Sequence, residues 1–195
     1  MSDKGARSKT AEEILDIAEM LIQTRGYNAF SFQDISDRLG IRKASIHYHF
    51  ASKTVLGVAV VERYSDGFTQ ALPAVEAEEG KTAMDMFDCY TGPYREFADT
   101  PDRVCLCGAL AGEILALPVE MRERVEAFFK MHLAWLTRIV TRGVKREEFK
   151  IVMTAEQMAR TMFSALQGAL LDKRTTGDAT QMNDVIGVLK SQLRG

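Results

Sequence analysis

Between Asp37 and Glu62 the chain carries no carboxylate, although 27 of its 195 residues are Asp or Glu. The gap removes the charge that would repel a polyanion, and Arg38, Arg42, Lys43, Lys53, His47 and His49 fall inside it. Other scarcities exclude whole classes. No apolar run approaches the ~18 residues of a membrane span, and the opening MSDKGARSKT lacks the apolar segment of a signal peptide. A cytoplasmic location with no membrane partner is the expectation. Cysteine is sparse and odd in number, so Cys89, Cys105 and Cys107 read as reduced thiols rather than a disulfide framework. Sustained strand alternation is missing, which leaves an all-α fold. There is no Gly-rich phosphate loop, no nucleophile elbow and no histidine pair at metal-ligand spacing. An enzyme, a cofactor and a metal are therefore not expected.

What is present is a series of amphipathic helices, with net charge of only -2 hiding a local asymmetry. Lys4, Arg7 and Lys9 add to the basic start, while the chain beyond residue 68 turns acidic. Thr10 to Glu13 has the form of a capping box ahead of the stripe Ile14, Ala18, Leu21 and Ile22, and Gly26 ends that helix. Ser31 with Asp34 opens a helix of barely two turns carrying Ile35 and Leu39, and Gly40 stops it. A third short helix places Ile46 and Phe50 inward, four apart. Ser52 caps a fourth helix through about Leu72, where Pro73 and the acidic run Glu76 to Gly80 interrupt the pattern. Further helices are expected at about 82–98, 102–116, 119–146, 155–174 and 180–193, about nine in all, with Pro101 and Pro118 at helix starts and Thr154 with Gln157 as a capping box.

Two short helices joined by a glycine turn, with a basic and polar outer face on the second, are what a DNA-reading helix-turn-helix requires. The second helix must enter the major groove while the first braces it. The seam is Ile35, Leu39, Ile41, Ile46 and Phe50, and the backbone N–H groups from Ser31 to Gln33 offer an anion site at a helix start. The alternative is a solvated basic face with Tyr48 and His49 as packing residues.

Phe32-Gln33-Asp34-Ile35, Leu39-Gly40-Ile41 and Lys43-Ala44-Ser45-Ile46-His47-Tyr48-His49-Phe50, followed by Ser52-Lys53, resemble the signature of TetR/AcrR transcriptional regulators. His47 stands where that family commonly has Tyr, and Ala51 where Pro is common. The resemblance implies a three-helix DNA-binding domain over 8–68, its helix-turn-helix at about 31–50, and a helical ligand-binding and dimerisation domain over 69–195. It also implies a regulator, most simply a repressor released from a palindromic operator by a small molecule. By resemblance, Gln33, Arg42, Lys43, Ser45, His47, Tyr48, His49 and Lys53 lie near double-stranded DNA, with Ser31 at the helix start. Lys43 and Lys53 suit phosphates, Tyr48 a phosphate or thymine methyl, and Arg42 a phosphate or guanine edge.

For the effector, Met86, Phe87, Tyr90, Cys107, Leu110, Glu113, Met131, Trp135, Met162 and Phe163 are candidate lining residues, though such stripes also serve as plain core. Glu113 is the polar candidate, as an inward carboxylate seeking a donor, or else a surface residue. Cys105 and Cys107 permit a redox or electrophile sensor on the same DNA-binding head, but i,i+2 side chains on a helix diverge by about 200° and make poor joint metal ligands. A helical enzyme or ligand carrier is the remote alternative. Met158, Met162, Ala165, Leu166, Ala169, Leu170, Met182, Ile186, Leu189 and Leu193 form the expected homodimer surface.

Overall fold

The computed structural model describes residues 7–195, so Lys4 of the basic start lies outside the described residues. Nine α-helices and no strands occur among the described residues: α1 Lys9–Arg25, α2 Phe32–Leu39, α3 Lys43–His49, α4 Lys53–Ala77, α5 Ala83–Asp99, α6 Leu106–Gly112, α7 Val119–Lys145, α8 Ala155–Thr176 and α9 Thr180–Arg194. A single 3₁₀ turn, Ile114–Ala116, separates α6 from α7.

Caps set most of the boundaries. Ser31, Thr82 and Thr154 each form a reciprocal capping box with Asp34, Asp85 and Gln157. At α1 the cap is Ser8, whose Oγ accepts from Ala11 N at 3.3 Å; Thr10 sits inside the first turn, so the expected box at Thr10 does not form. Pro73 does not end α4. It lies exposed within the helix, and the chain continues to Ala77 without a break at residues 68 and 69. The expected helix over 102–116 is two pieces, α6 and the 3₁₀ turn, and Pro101 opens a tight turn with Asp102 at φ +59° instead of starting a helix.

The first three helices close on Ile14, Leu15, Ala18, Ile35, Ile46 and Phe50, all buried. Arg63 of α4 ties α1 down: its guanidinium reaches Glu12 at 3.1 Å, Asp16 at 2.7 Å and Glu19 at 2.9 Å. Those three carboxylates would otherwise repel one another along one face of α1.

In the C-terminal helices, α7 runs through the centre against α4, α5, α6 and α8, and α9 covers α5 and α8. Their core is aromatic and partly polar. Tyr90 stacks on Trp135 at 5.3 Å, and Trp135 Nε1 donates to the Leu72 carbonyl at 3.1 Å. Gln167 Nε2 donates to the Tyr94 hydroxyl at 3.2 Å, the Tyr94 and Tyr90 rings lie 5.7 Å apart, and the Tyr90 hydroxyl meets His132 Nδ1 at 2.9 Å. A phenol is the stronger donor and an imidazole nitrogen the stronger acceptor, so Nδ1 accepts and the ring proton resides on Nε2. That Nε2 is buried without a partner among the described residues, and Phe68, Phe128 and Phe163 surround the ring at 4.8, 4.1 and 5.7 Å.

The expected dimer surface is instead the core of one subunit. Met158, Met162, Leu166, Ala169, Leu170, Met182, Ile186, Leu189 and Leu193 are each no more than 3% exposed within a single chain, and Ala165 is half-buried. They point inward because α8 packs on α7 and α9 packs on α5 and α8.

Burial pushes the His132 pKa down to about 4 from 6.5. Between those values the unfolded chain binds a proton that the folded chain rejects. Stability is full above the higher value and falls as pH drops toward the lower, by on the order of 3 kcal/mol at most. His132→Leu should remove that acid-side slope; denaturant melts of both proteins across this pH window check it, and parallel slopes would contradict it.

Candidate nucleic-acid interface

The turn between α2 and α3 is held from inside. Gly40 adopts φ +66°, Ile41 N donates to the Ser36 carbonyl at 3.3 Å, and the Ser36 hydroxyl donates to the Ile41 carbonyl at 2.5 Å. Ile46 and Phe50 are buried beneath α3, which turns Lys43, Ala44, Ser45, His47 and Tyr48 outward, with Arg42 exposed just ahead of the helix. Tyr48 is 86% exposed, an unusual position for a large aromatic ring unless another molecule covers it. This exposed polar and aromatic face is what a groove-reading helix needs.

The remaining predicted DNA residues divide by what already occupies them. Gln33 is exposed and donates to Asp37 at 2.5 Å. His47 packs edge-on against Phe32 at 4.8 Å with Nδ1 3.4 Å from the Ala51 carbonyl, and half-buried His49 rests on Tyr48 at 5.0 Å. The anion site expected at the start of α2 is taken by the protein's own groups. Asp34 accepts from Ser31 N and Ser31 Oγ, both at 2.8 Å, while Ser31 Oγ accepts from Gln33 N at 3.2 Å. These bonds from Ser31 hold the Asp34 carboxyl below its ordinary range. Lys53 is likewise engaged: its ammonium donates to the Phe30 carbonyl and sits 4.6 and 4.5 Å from the Tyr27 and Phe30 ring centres. Burial lowers its pKa, opposed by the charges of Glu113 and Asp34. Lys53 braces the head; Lys43 and Arg42 are exposed cations of this face with no carboxylate partner among the described residues.

The sensor candidates are placed differently from one another. Met86, Phe87, Tyr90, Cys107, Leu110, Trp135, Met162 and Phe163 are buried in the C-terminal core, and Met131 is half-buried with its Sδ 3.3 Å from Thr69 Oγ1. Glu113 faces neither that core nor open solvent. Its carboxylate accepts from Tyr27 N at 2.8 Å, Asn28 N at 3.0 Å and Asn28 Nδ2 at 2.6 Å, across the boundary to the head. Gly26 permits this, since a Cβ there would lie 2.0 Å from Glu113 Oε1. Two further side chains hold the same end of α1. Arg103 donates to Gln23 Oε1 at 3.0 and 2.6 Å, and Arg174 donates to the Thr24 carbonyl. These residues, with His132, Tyr94 and Gln167, had no local signature to reveal them.

Cys105 and Cys107 are buried, and burial pushes the Cys107 thiol well above its ordinary range, which suppresses the reactive thiolate. Cys89 is exposed, with the Lys81 ammonium 3.0 Å from its sulfur. Among the described residues no group of three His, Cys, Asp or Glu is arranged to hold a metal, and no helix is long and apolar enough to cross a membrane.

An all-α chain with an outward-facing second helix of this kind belongs to the helix-turn-helix class of DNA-binding proteins. The profile described as "Bacterial regulatory proteins, tetR family" matches residues 14–60, and "Tetracyclin repressor-like, C-terminal domain" matches residues 89–189. A TetR family transcriptional regulator from Agrobacterium tumefaciens is similar in structure, with TM-score 0.89 and 32% identity over 95% of this chain and 97% of that one. A TetR transcriptional regulator from Legionella pneumophila gives TM-score 0.82 and 32% identity over 97% and 100% of the two chains. The transcriptional repressor NemR of Escherichia coli is 22% identical over 193 residues, 97% of this chain and 96% of the relative. The chain belongs to the tetR family of bacterial regulatory proteins and is a DNA-binding transcriptional regulator.

Lys43→Ala should lower the slope of log K against log salt by about 0.9 on a bound duplex, leaving stability unchanged. Lys53→Ala should do the reverse, keeping the slope and destabilising the fold by about 1–2 kcal/mol through the lost carbonyl bond and ring contacts. Fluorescence anisotropy across a salt series and denaturant melts separate the two; an equal loss of slope in both variants would refute the division.

Proposed function

We propose that the protein is a cytoplasmic, homodimeric, non-enzymatic repressor that leaves a palindromic operator when a small molecule binds its C-terminal helices. Residues 8–68 serve as the DNA-binding head and 69–195 as the sensing and dimerising part, with Arg42, Lys43, Ser45, His47 and Tyr48 of the head meeting the duplex and Gln33, Ser31, His49 and Lys53 positioning them. The observation that carries this reading is the grip of Arg103, Glu113 and Arg174 on the end of α1. Each belongs to the sensing part and each bonds the head, so a shift of α6 or α8 alters how the head is held.

Dimerisation is assigned to the outer side of α8 and α9 rather than to the buried stripe. A groove of about 420 Å³ runs between them, lined by Met153, Thr161, Val185, Val188 and Gln192 together with Met158, Ala165 and Leu189, three residues of the expected dimer surface. Val188 is 61% exposed and Leu171 49%, which supports a second copy as the occupant of that face. Two-fold pairing there suits a palindromic site, because two reading helices must meet successive major grooves at a fixed separation. The thiol-sensor version draws no support from Cys105 and Cys107, whose burial disfavours reaction.

Genome-wide recovery of bound DNA supplies the operator and tests the regulator reading directly. On that duplex, Val188→Arg should sediment as a monomer and bind at least about 100-fold more weakly; a dimeric variant with undiminished binding would remove the assigned interface. Glu113→Gln, which keeps the size but weakens the N–H bonds, should change operator affinity by about ten-fold and lower stability by about 1–2 kcal/mol, with the chain still folded under the binding conditions. Unchanged affinity and unchanged release by effector would show that the grip does not transmit.

A further inference from the structure

Arg122, on α7, has a buried Nε with no hydrogen-bond partner among the described residues. Among the described residues no carboxylate pairs with its guanidinium, whereas neighbouring Arg124 bonds Glu62 at 3.0 Å. The side chain lines a cleft of about 430 Å³ between the 3₁₀ turn and α7, with Ala111, Ile114, Val125, Glu126 and Phe129 as its other walls. Glu126, the one carboxylate there, is already engaged by Lys130 at 2.6 Å. The cleft thus presents an unmatched cation on an apolar floor. Phe129 leads inward: it meets Phe163 edge-on at 5.0 Å, at the margin of the aromatic core.

We propose that this cleft is a binding site for a monocarboxylate with an apolar tail, its carboxylate held by Arg122 and its tail laid along Ile114, Val125 and Phe129. A guanidinium presents two parallel N–H groups that match the two oxygens of a carboxylate, and the partly desolvated setting strengthens the pair. An ammonium headgroup is repelled, and an alcohol supplies one weak acceptor where two are needed. The proposal rests on the reading above that a ligand of the C-terminal helices releases DNA, and it places that ligand beside the lever. Ile114 directly follows Glu113, the residue whose carboxylate holds Tyr27 and Asn28. A tail pressed against Ile114 therefore acts on the turn that carries the grip.

The test is calorimetric titration of the full-length protein with octanoate, 1-octanol and octylamine, followed by operator release with the same compounds. Octanoate should bind one per chain, with the alcohol and amine weaker by about ten-fold or more. Arg122→Gln should lose about ten-fold or more in octanoate affinity and melt like wild type, and Arg122→Lys should fall between. Equal binding of octanoate and octanol, undiminished binding by Arg122→Gln, or no octanoate binding at all would overturn the site. So would a change of oligomeric state on Leu115→Ser without any octanoate binding, which would make this face a contact between copies. If octanoate binds through Arg122 but the operator stays bound, the site stands and its link to release is lost. If another compound releases the operator while octanoate does not bind, the release reading stands and this site falls.

Discussion

The carboxylate of Glu113 against the backbone of Tyr27 and Asn28 is the contact on which the arrangement of the N-terminal head and the C-terminal helices depends. It forms because Gly26, at φ +94°, has no side chain to keep the carboxylate away, and because the turn after α1 leaves two backbone N–H groups pointing outward. A charge-assisted bond contributes about 1.5–3 kcal/mol when sheltered from water; here only the Tyr27 bond is partly buried and the two bonds to Asn28 are exposed, so the contact contributes less than that figure per bond. Arg103 and Arg174 add two more grips within the same turn of α1, so the head is held at one end and pinned along its length by Arg63. A head fixed this way moves as a body.

That rigidity explains how the reading helix is used. The Ser31 and Asp34 capping box consumes the donors at the start of α2, and Lys53 is turned inward onto Phe30 and Tyr27. Both features brace the helix-turn-helix with groups that would otherwise be free to bind another molecule. What remains outward is concentrated on α3 and just before it: Arg42, Lys43, Ser45, His47 and Tyr48. The absence of carboxylates between Asp37 and Glu62 removes the nearest sequence source of repulsion for phosphate.

The parts legible in the sequence are those whose partners lie three or four residues away. The capping pairs at Ser31 and Thr154, the Gly40 stop and the seam of Ile35, Ile46 and Phe50 are local or nearly so, and the fold shows each of them. The grip is different in kind. Glu113 is 86 residues from Tyr27, Arg103 is 80 from Gln23, and Arg174 is 150 from Thr24, so no spacing rule links them. Lys53 matched a phosphate ligand by position, yet its orientation was fixed by two aromatic rings from the turn before α2. The stripe on α8 and α9 was real, but periodicity gives a helix a buried face without saying whether the same chain or a second one covers it. Pro73 shows the limit of a breaker residue: near an exposed helix end, one missing N–H leaves the remaining turn intact.

A ligand shifts an equilibrium only by the difference in how it binds two states, so coupling requires an element whose contacts differ between them. The aromatic core around Trp135, Tyr90 and His132 is tightly packed and resists graded deformation. The stretch from α6 to Pro118 is the opposite: a seven-residue helix, a 3₁₀ turn and the 91% exposed Leu115, with Glu113 at the junction. It is short enough to shift without unpacking α7, and it ends on the bonds that orient the head. In the proposed dimer each subunit contributes one such junction and the operator requires both heads at a single separation. A tilt costing each head about 1–1.5 kcal/mol would then enter twice, lowering operator affinity by about 30- to 150-fold.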